Sequence, residues 1–170
     1  MGVIAKSLLY LGFYALLHFG YEKTGWEALR PIFGTSESVF EHLKIGFFAY
    51  FFASLLEAGI TRRQIPLKRG FWYSRLLATW SIPWIIVTIW YIAPAIYGKP
   101  LPLWWELSWA IAVAFLSGIL SGTLERGLEE ERFPQNLRGF ILALFGVSLF
   151  FFVWFSYRLP WIDLFVLPSP

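Results

Sequence analysis

Five stretches of this chain are each close to the length of a membrane crossing and almost free of charge, and no other feature constrains the fold as strongly. They run from Val3 to Gly20, Ser38 to Ile60, Leu76 to Tyr97, Leu103 to Leu124 and Gly139 to Tyr157. An α-helix needs about 20 mostly apolar residues to span hydrocarbon. No stretch alternates polar and apolar residues with a period of two, so a transmembrane β-barrel is excluded. The chain therefore reads as all-α, a polytopic membrane helix bundle with five transmembrane helices. It forms a single integral membrane domain over residues 1–170, closed by a short interfacial C-terminal segment. Hydrophobic residues make up 58% of the chain and charged ones 15%, a balance outside the soluble range. The 10 tryptophans, 18 phenylalanines and 8 tyrosines suit lipid-facing helices with aromatic belts.

The first apolar run follows a lone Lys6 but ends in bulky Tyr14, His18 and Tyr21, with no small-residue cleavage site. It is expected to be a retained span and not a signal peptide. The "MG" start carries Lys6 where a myristoylation signal needs Ser or Thr. Without cysteine the chain has no disulfide or thiolate chemistry. Its net charge of +3 is small, and its basic residues gather in one loop without interleaved aromatics, which argues against a nucleic-acid partner. Membrane lipid is the expected partner, with a second copy of the chain or another membrane protein as further partners.

Orientation follows from Lys and Arg in alternate loops. Lys6, Arg62, Arg63, Lys68, Arg69, Arg75, Arg126, Arg132 and Arg138 fall on one side; Lys23, Arg30, Lys44, Lys99 and Arg158 fall on the other. Nine against five predicts a multi-pass cell-membrane protein with its N-terminus cytoplasmic and its C-terminus outside. The basic loop "TRRQIPLKRG" is then cytoplasmic and in contact with anionic lipid, and "ERGLEEER" is a solvated helical extension with internal ion pairs. The tail "RLPWIDLFVLPSP" is expected to rest in the outer interface. An odd number of spans without internal repeat disfavours inverted-repeat transporter architecture.

Pro83 and Pro94 are expected to kink the third span, with Thr79 and Ser81 satisfying freed backbone groups. In the fourth span Ala110, Ala114, Gly118 and Gly122 recur every fourth residue beside Ser117 and Ser121, a face suited to close helix packing.

The stretch "GTSESVFEHLK" places several charged and imidazole groups where the second span begins. Ser38 followed by Glu41 has the spacing of a capping box, Glu37 suits the positive end of the helix dipole, and Glu41 can pair with Lys44. On a helical wheel His42, Gly46, Ala49, Tyr50, Ala53, Ser54 and Glu57 share one side of this span. Phe47, Phe48, Phe51, Phe52 and Leu55 lie opposite and are expected to face lipid. Glu57 is expected to bond Tyr50 or Arg62. In the first span Lys6, Tyr10, Tyr14, His18 and Glu22 recur every fourth residue. The only two histidines, His18 and His42, should therefore converge at one depth, within roughly 8 Å, a distance that lets one metal touch both. Glu22 and Glu106 supply carboxylates on the same side.

"SESVFEHLKIGFF" and "LLHFGYE" resemble two motifs of a small prokaryotic multi-pass membrane family of undefined function, in which an Asn/Ser-Glu-Ser…Glu-His-x-Lys element opens a span. The resemblance implies a multi-pass fold and brings no activity with it. Ser38 and His42 also have the Ser-x-x-x-His spacing of the membrane hydrolases that include alkaline ceramidases and adiponectin-type receptors. Those proteins complete a zinc site with later histidines, and none follows His42 here.

Three functions are compatible with these residues. In the first, His18 and His42 act as metal ligands or proton carriers supported by Glu22 or Ser38, for metal-assisted or acid/base chemistry on a lipid-like or small substrate at the outer face. A divalent metal held by His18, His42 and Glu22, with water in the open position, is chemically admissible. The second is a proton- or ion-coupled carrier that uses Glu57 as its inner station. The third is an assembly subunit of a membrane complex.

Overall fold

The computed structural model describes residues 1–61, 69–98, 102–162 and 165. Its helices are α1 (Val3–Thr24), α2 (Val39–Thr61), α3 (Phe71–Trp90), α4 (Ile92–Tyr97), α5 (Leu103–Leu128) and α6 (Gln135–Tyr157), with a 3-10 turn at Glu27–Leu29. There is no strand among the described residues. Among the described residues five helical segments, α3 and α4 together counting as one, are long and apolar enough to cross a membrane.

Helices α1, α2, α3 and α5 form an antiparallel ring in which α1 packs on α2 and α5, and α3 packs on α2 and α5. The start of α1, end of α2, start of α3 and end of α5 share one end of the ring, here called the carboxylate end. The end of α1 and start of α2 lie at the other, the histidine end. Small residues allow the ring to close. A Cβ on Gly118 would lie 2.7 Å from Tyr10 Cδ1, and one on Gly122 would lie 3.1 Å from Val3 Cγ1. The small-residue face of α5 thus packs against α1, as its four-residue spacing anticipated. Gly46 plays the same part in α2, where a Cβ would lie 2.6 Å from Ile86 Cδ1.

α6 sits outside the ring and changes the environment of α2. Phe47 and Phe48 are buried and do not face lipid. Phe47 stacks with Phe145 of α6 at 5.1 Å and meets Phe152 at 5.1 Å, while Phe51 contacts Phe145 at 5.1 Å. A wheel identifies the two faces of a helix but cannot tell lipid from an aromatic neighbour. Leu55 remains exposed.

Pro83 lies within an uninterrupted α3, whereas the break falls at Tyr91, shortly before Pro94. Proline cannot donate to the carbonyl four residues back, so Pro94 leaves the Trp90 carbonyl free. Trp109 Nε1 of α5 takes it at 3.2 Å. Thr79 and Ser81 instead donate to the carbonyls of Arg75 and Ala78. Helix α3 also begins at Phe71, earlier than hydropathy suggested, because Arg75 is buried in the bundle and is not a loop charge. The basic loop around Arg62 lies outside the described residues, as does most of the C-terminal segment; Phe165 of that segment packs on Phe40 at 4.5 Å.

Candidate functional site

At the histidine end, α1 and α2 bring His18 and His42 together with ring centroids 5.3 Å apart. Glu37, in the turn just before α2, bridges them. Its Oε1 lies 3.6 Å from His18 Nε2 and its Oε2 lies 3.5 Å from His42 Nε2. One ligand atom from each of the three residues lies within 4.8 Å of the others. The two carboxylate–imidazole separations are too long for good hydrogen bonds and close to the edge of about 3.4 Å in a tetrahedron of nitrogen and oxygen ligands around a metal. Glu37 is 70% exposed, against 20% for His18 and 27% for His42, so the cluster opens to the surface on its carboxylate side.

The local fold sets the ring chemistry. His42 Nδ1 lies 2.9 Å from the Ser38 carbonyl. A carbonyl only accepts, so Nδ1 carries the proton and leaves the Nε2 lone pair toward Glu37, the arrangement found in metal-bound imidazoles. His18 Nδ1 is buried and has no hydrogen-bond partner. An unpartnered lone pair is less costly there than an unpartnered N–H, so the free His18 ring holds its proton on Nε2. A cation held through His18 Nε2 would require the proton on the buried, unpartnered Nδ1, at a cost of about 1–3 kcal/mol.

A buried ion pair holds the turn that presents Glu37. Ser38 Oγ accepts from the Glu41 N–H at 3.4 Å, one half of the capping box. The reciprocal half is absent, because the Glu41 carboxylate accepts from the Thr35 N–H at 2.8 Å and pairs with Lys44 at 2.8 Å. Lys44, fully buried, also donates to the Arg30 carbonyl at 3.0 Å and to Ser156 of α6 at 3.1 Å. Glu41 and Lys44 thus act as a clamp joining the α1–α2 connection, α2 and α6.

At the carboxylate end the charges are packed and paired. Lys6 Nζ donates to Glu57 at 2.8 Å and to both oxygens of Glu125, at 2.7 and 2.6 Å. Arg75 Nε donates to Glu57 at 3.2 Å, and its guanidinium reaches Glu129 at 2.7 Å. Tyr50 donates to Glu125 at 2.9 Å. Lys6 and the carboxylates of Glu57 and Glu125 are each 2% exposed. The network ties together all four helices of the ring.

Each residue singled out in the sequence has a definite place. His18 and His42 meet. Ser38 is buried and acts on His42 through its carbonyl. Glu22 is exposed, with Lys23 at 3.9 Å, and the carboxylate between the histidines is that of Glu37. Glu106 opens α5 in an exposed position. Glu57 does not bond Tyr50, which turns to Glu125; Arg62, the other expected partner, lies outside the described residues, and among those described Lys6, Arg75 and the N-terminal amine hold Glu57. The clearest departure is Glu125, which belongs to the buried network and not to a solvated extension. Its signal was available: Ser117, Ser121 and Glu125 recur every fourth residue on the small-residue face of α5. Compared with known proteins, the chain matches no family profile, no curated protein and no solved structure.

Proposed function

We propose that this chain is a multi-pass membrane protein that binds a divalent transition-metal ion reversibly at its histidine end, through His18, His42 and Glu37. The carrying observation is the bridging of two imidazole nitrogens by one carboxylate at 3.5 and 3.6 Å. Three protein ligands leave a coordination position for water or a small substrate, as in catalytic and exchange sites, whereas structural zinc sites are closed. The exposure of Glu37 places that position toward water, and the unmet His18 Nδ1 favours reversible over permanent binding.

The charge balance supports placing this end outside and the N-terminus in the cytoplasm. Burial removes Lys6 and Arg75 from the nine basic residues of one side and Lys44 from the five of the other, leaving seven against four. Glu37 and His42 lie in "SESVFEHLKIGFF" and His18 in "LLHFGYE", the two motifs that carry the family resemblance, which supports reading them together as a ligand-binding signature.

The test is titration of the purified protein with Co²⁺, followed by its visible absorption, and with Zn²⁺ by calorimetry. One ion per chain is expected, with affinity at least tenfold weaker in Glu37→Gln and His42→Ala. No binding, or binding unchanged in both variants, overturns the proposal.

A further inference from the structure

Of the five spans α6 is the least buried, and aromatic contacts hold most of it to the ring. Phe145 and Phe152 meet Phe47, and Phe152 and Phe155 close round Phe40 at 5.8 and 6.1 Å. Apolar contacts are non-directional and tolerate sliding. A hydrogen bond is directional and sets register. Among the described residues one side-chain hydrogen bond joins α6 to the ring, from Lys44 Nζ of α2 to Ser156 Oγ at 3.1 Å.

The ammonium of Lys44 has three N–H groups, and three acceptors meet it: the Glu41 carboxylate at 2.8 Å, the Arg30 carbonyl at 3.0 Å and Ser156 Oγ. Ser156 gives its own hydrogen to the Phe152 carbonyl at 2.8 Å, so its oxygen is the accepting atom toward Lys44. These acceptors belong to α2, to the connection between α1 and α2, and to α6. An ion pair one turn apart on a single helix joins that helix to nothing else, and a buried pair gains little over apolar side chains of the same size. What the Glu41–Lys44 pair adds is its further bonds. They reach Arg30 and, through the Glu41 carboxylate, the Thr35 N–H at 2.8 Å, both in the segment that leads to Glu37. Glu37 is exposed, and neither of its separations from the histidines is a good hydrogen bond. Its carboxylate therefore goes where the backbone carrying it goes.

We propose that the seating of α6 regulates the metal site, with Lys44 as the shared joint and Ser156 as a positioning residue. The inference rests on the metal-binding reading above and names the regulation of that site. With α6 seated, Ser156 completes the hydrogen bonding of the Lys44 ammonium, which fixes the Glu41 carboxylate. Glu41 in turn holds Thr35, and Glu37 stands between His18 and His42. With α6 displaced, one N–H of Lys44 loses its acceptor in an interior where that is costly. The ammonium re-seats on its other two partners and the turn follows, drawing the carboxylate away from imidazoles that α1 and α2 keep in place. Coupling of this kind is reciprocal, so an ion at the histidine end also holds α6 against α2. A change on the lipid-facing side of the bundle reaches the metal through α6.

The experiment titrates the purified full chain with Co²⁺ and follows affinity and visible absorption, with a melting curve for each variant. Ser156→Ala removes one buried hydroxyl and acts one bond further out than the groups directly behind the ligands, which contribute about 10–100-fold, so a loss of about three- to tenfold is expected. Its spectrum is expected to move toward that of Glu37→Gln, because the ligand lost is the carboxylate. Ser156→Thr, which keeps the hydroxyl, is expected to bind within about twofold of wild type. Ser156→Ala combined with Glu37→Gln is expected to bind no more weakly than Glu37→Gln alone, since Ser156 acts only through that side chain. Wild-type binding with affinity and spectrum unchanged in Ser156→Ala, even if its melting temperature falls, overturns the coupling and leaves the metal site. So does a loss that adds in full to that of Glu37→Gln. Wild-type protein that binds no Co²⁺ overturns the metal site and the coupling together.

Discussion

The two ends of the ring contain the same kinds of residue in opposite states. At the carboxylate end the buried charges of the described residues, Lys6, Arg75, Glu57 and Glu125, each meet opposite charge at hydrogen-bond distance, and the carboxylates Glu57 and Glu125 are almost without exposure. At the histidine end the Glu37 carboxylate stands 3.6 and 3.5 Å from the two imidazole nitrogens, too far to satisfy them and open to the surface. Ionisable groups at membrane depth are costly and are kept for a reason. The contrast separates two reasons: saturated charge fastens helices, and charge left short of its partners has capacity for a ligand. The Glu41–Lys44 clamp belongs to the first kind although it lies beside the second.

Loss of a single partner from the saturated end should show the largest effect. Lys6→Met leaves Glu57 and Glu125 facing one another with one cation fewer, and a cost of about 3–5 kcal/mol is expected. It is read as a fall in the melting temperature in detergent or a loss of folded protein. Lys6→Met combined with Glu125→Gln should recover part of that loss; if the double variant is as unstable as the sum of the singles, the network is not one coupled unit.

Gly118→Leu comes next, because its side chain must enter space held by Tyr10. A cost of about 1–3 kcal/mol is expected from overpacking. An unchanged melting curve would mean that α1 and α5 do not pack there. Ser38→Ala removes the oxygen that caps α2 and should cost about 1 kcal/mol in the same measurement, while the His42 Nδ1 bond, made to a carbonyl, survives.

The smallest effect on stability belongs to the unsaturated end. Glu37→Gln is expected to change stability by no more than about 0.5 kcal/mol, as for an exposed substitution, yet to weaken metal binding at least tenfold. A large destabilisation by Glu37→Gln would place it with the fastening charges and erase the distinction between the ends.

These ends were unequally legible in the sequence. The spans, the meeting of His18 and His42 and the packing face of α5 follow from periodicity along single helices, which a helical wheel reports directly. The carboxylate end depends on pairs far apart in the chain, Lys6 with Glu125 across 119 positions, and local hydropathy treats each such charge as the end of a span. Lys6, Arg75 and Glu125 therefore read as charges at the membrane edge or beyond it. Glu37 reads in the sequence only as a helix-start charge for a different reason: a carboxylate there already has a sufficient explanation in the dipole. Only the turn geometry, held by Thr35, Glu41 and Lys44, shows that its side chain is directed between the histidines. The burial of Phe47 depended likewise on α6, whose position no feature of α2 records.

The pairing of Lys6 also bears on how the protein is made. Helices enter a membrane in the order of synthesis, so α1 arrives before any carboxylate partner and its ammonium must remain near the water. Glu57 comes with α2 and lets that hairpin settle as a nearly neutral pair. Arg75 follows with α3, and the second carboxylate of the Lys6 ammonium, Glu125, is added only at the end of α5. The four-helix ring is thus sealed late, by its last member. A chain stalled before α5 would hold Lys6 and Arg75 against Glu57 alone, an excess of buried positive charge that only Glu125 removes.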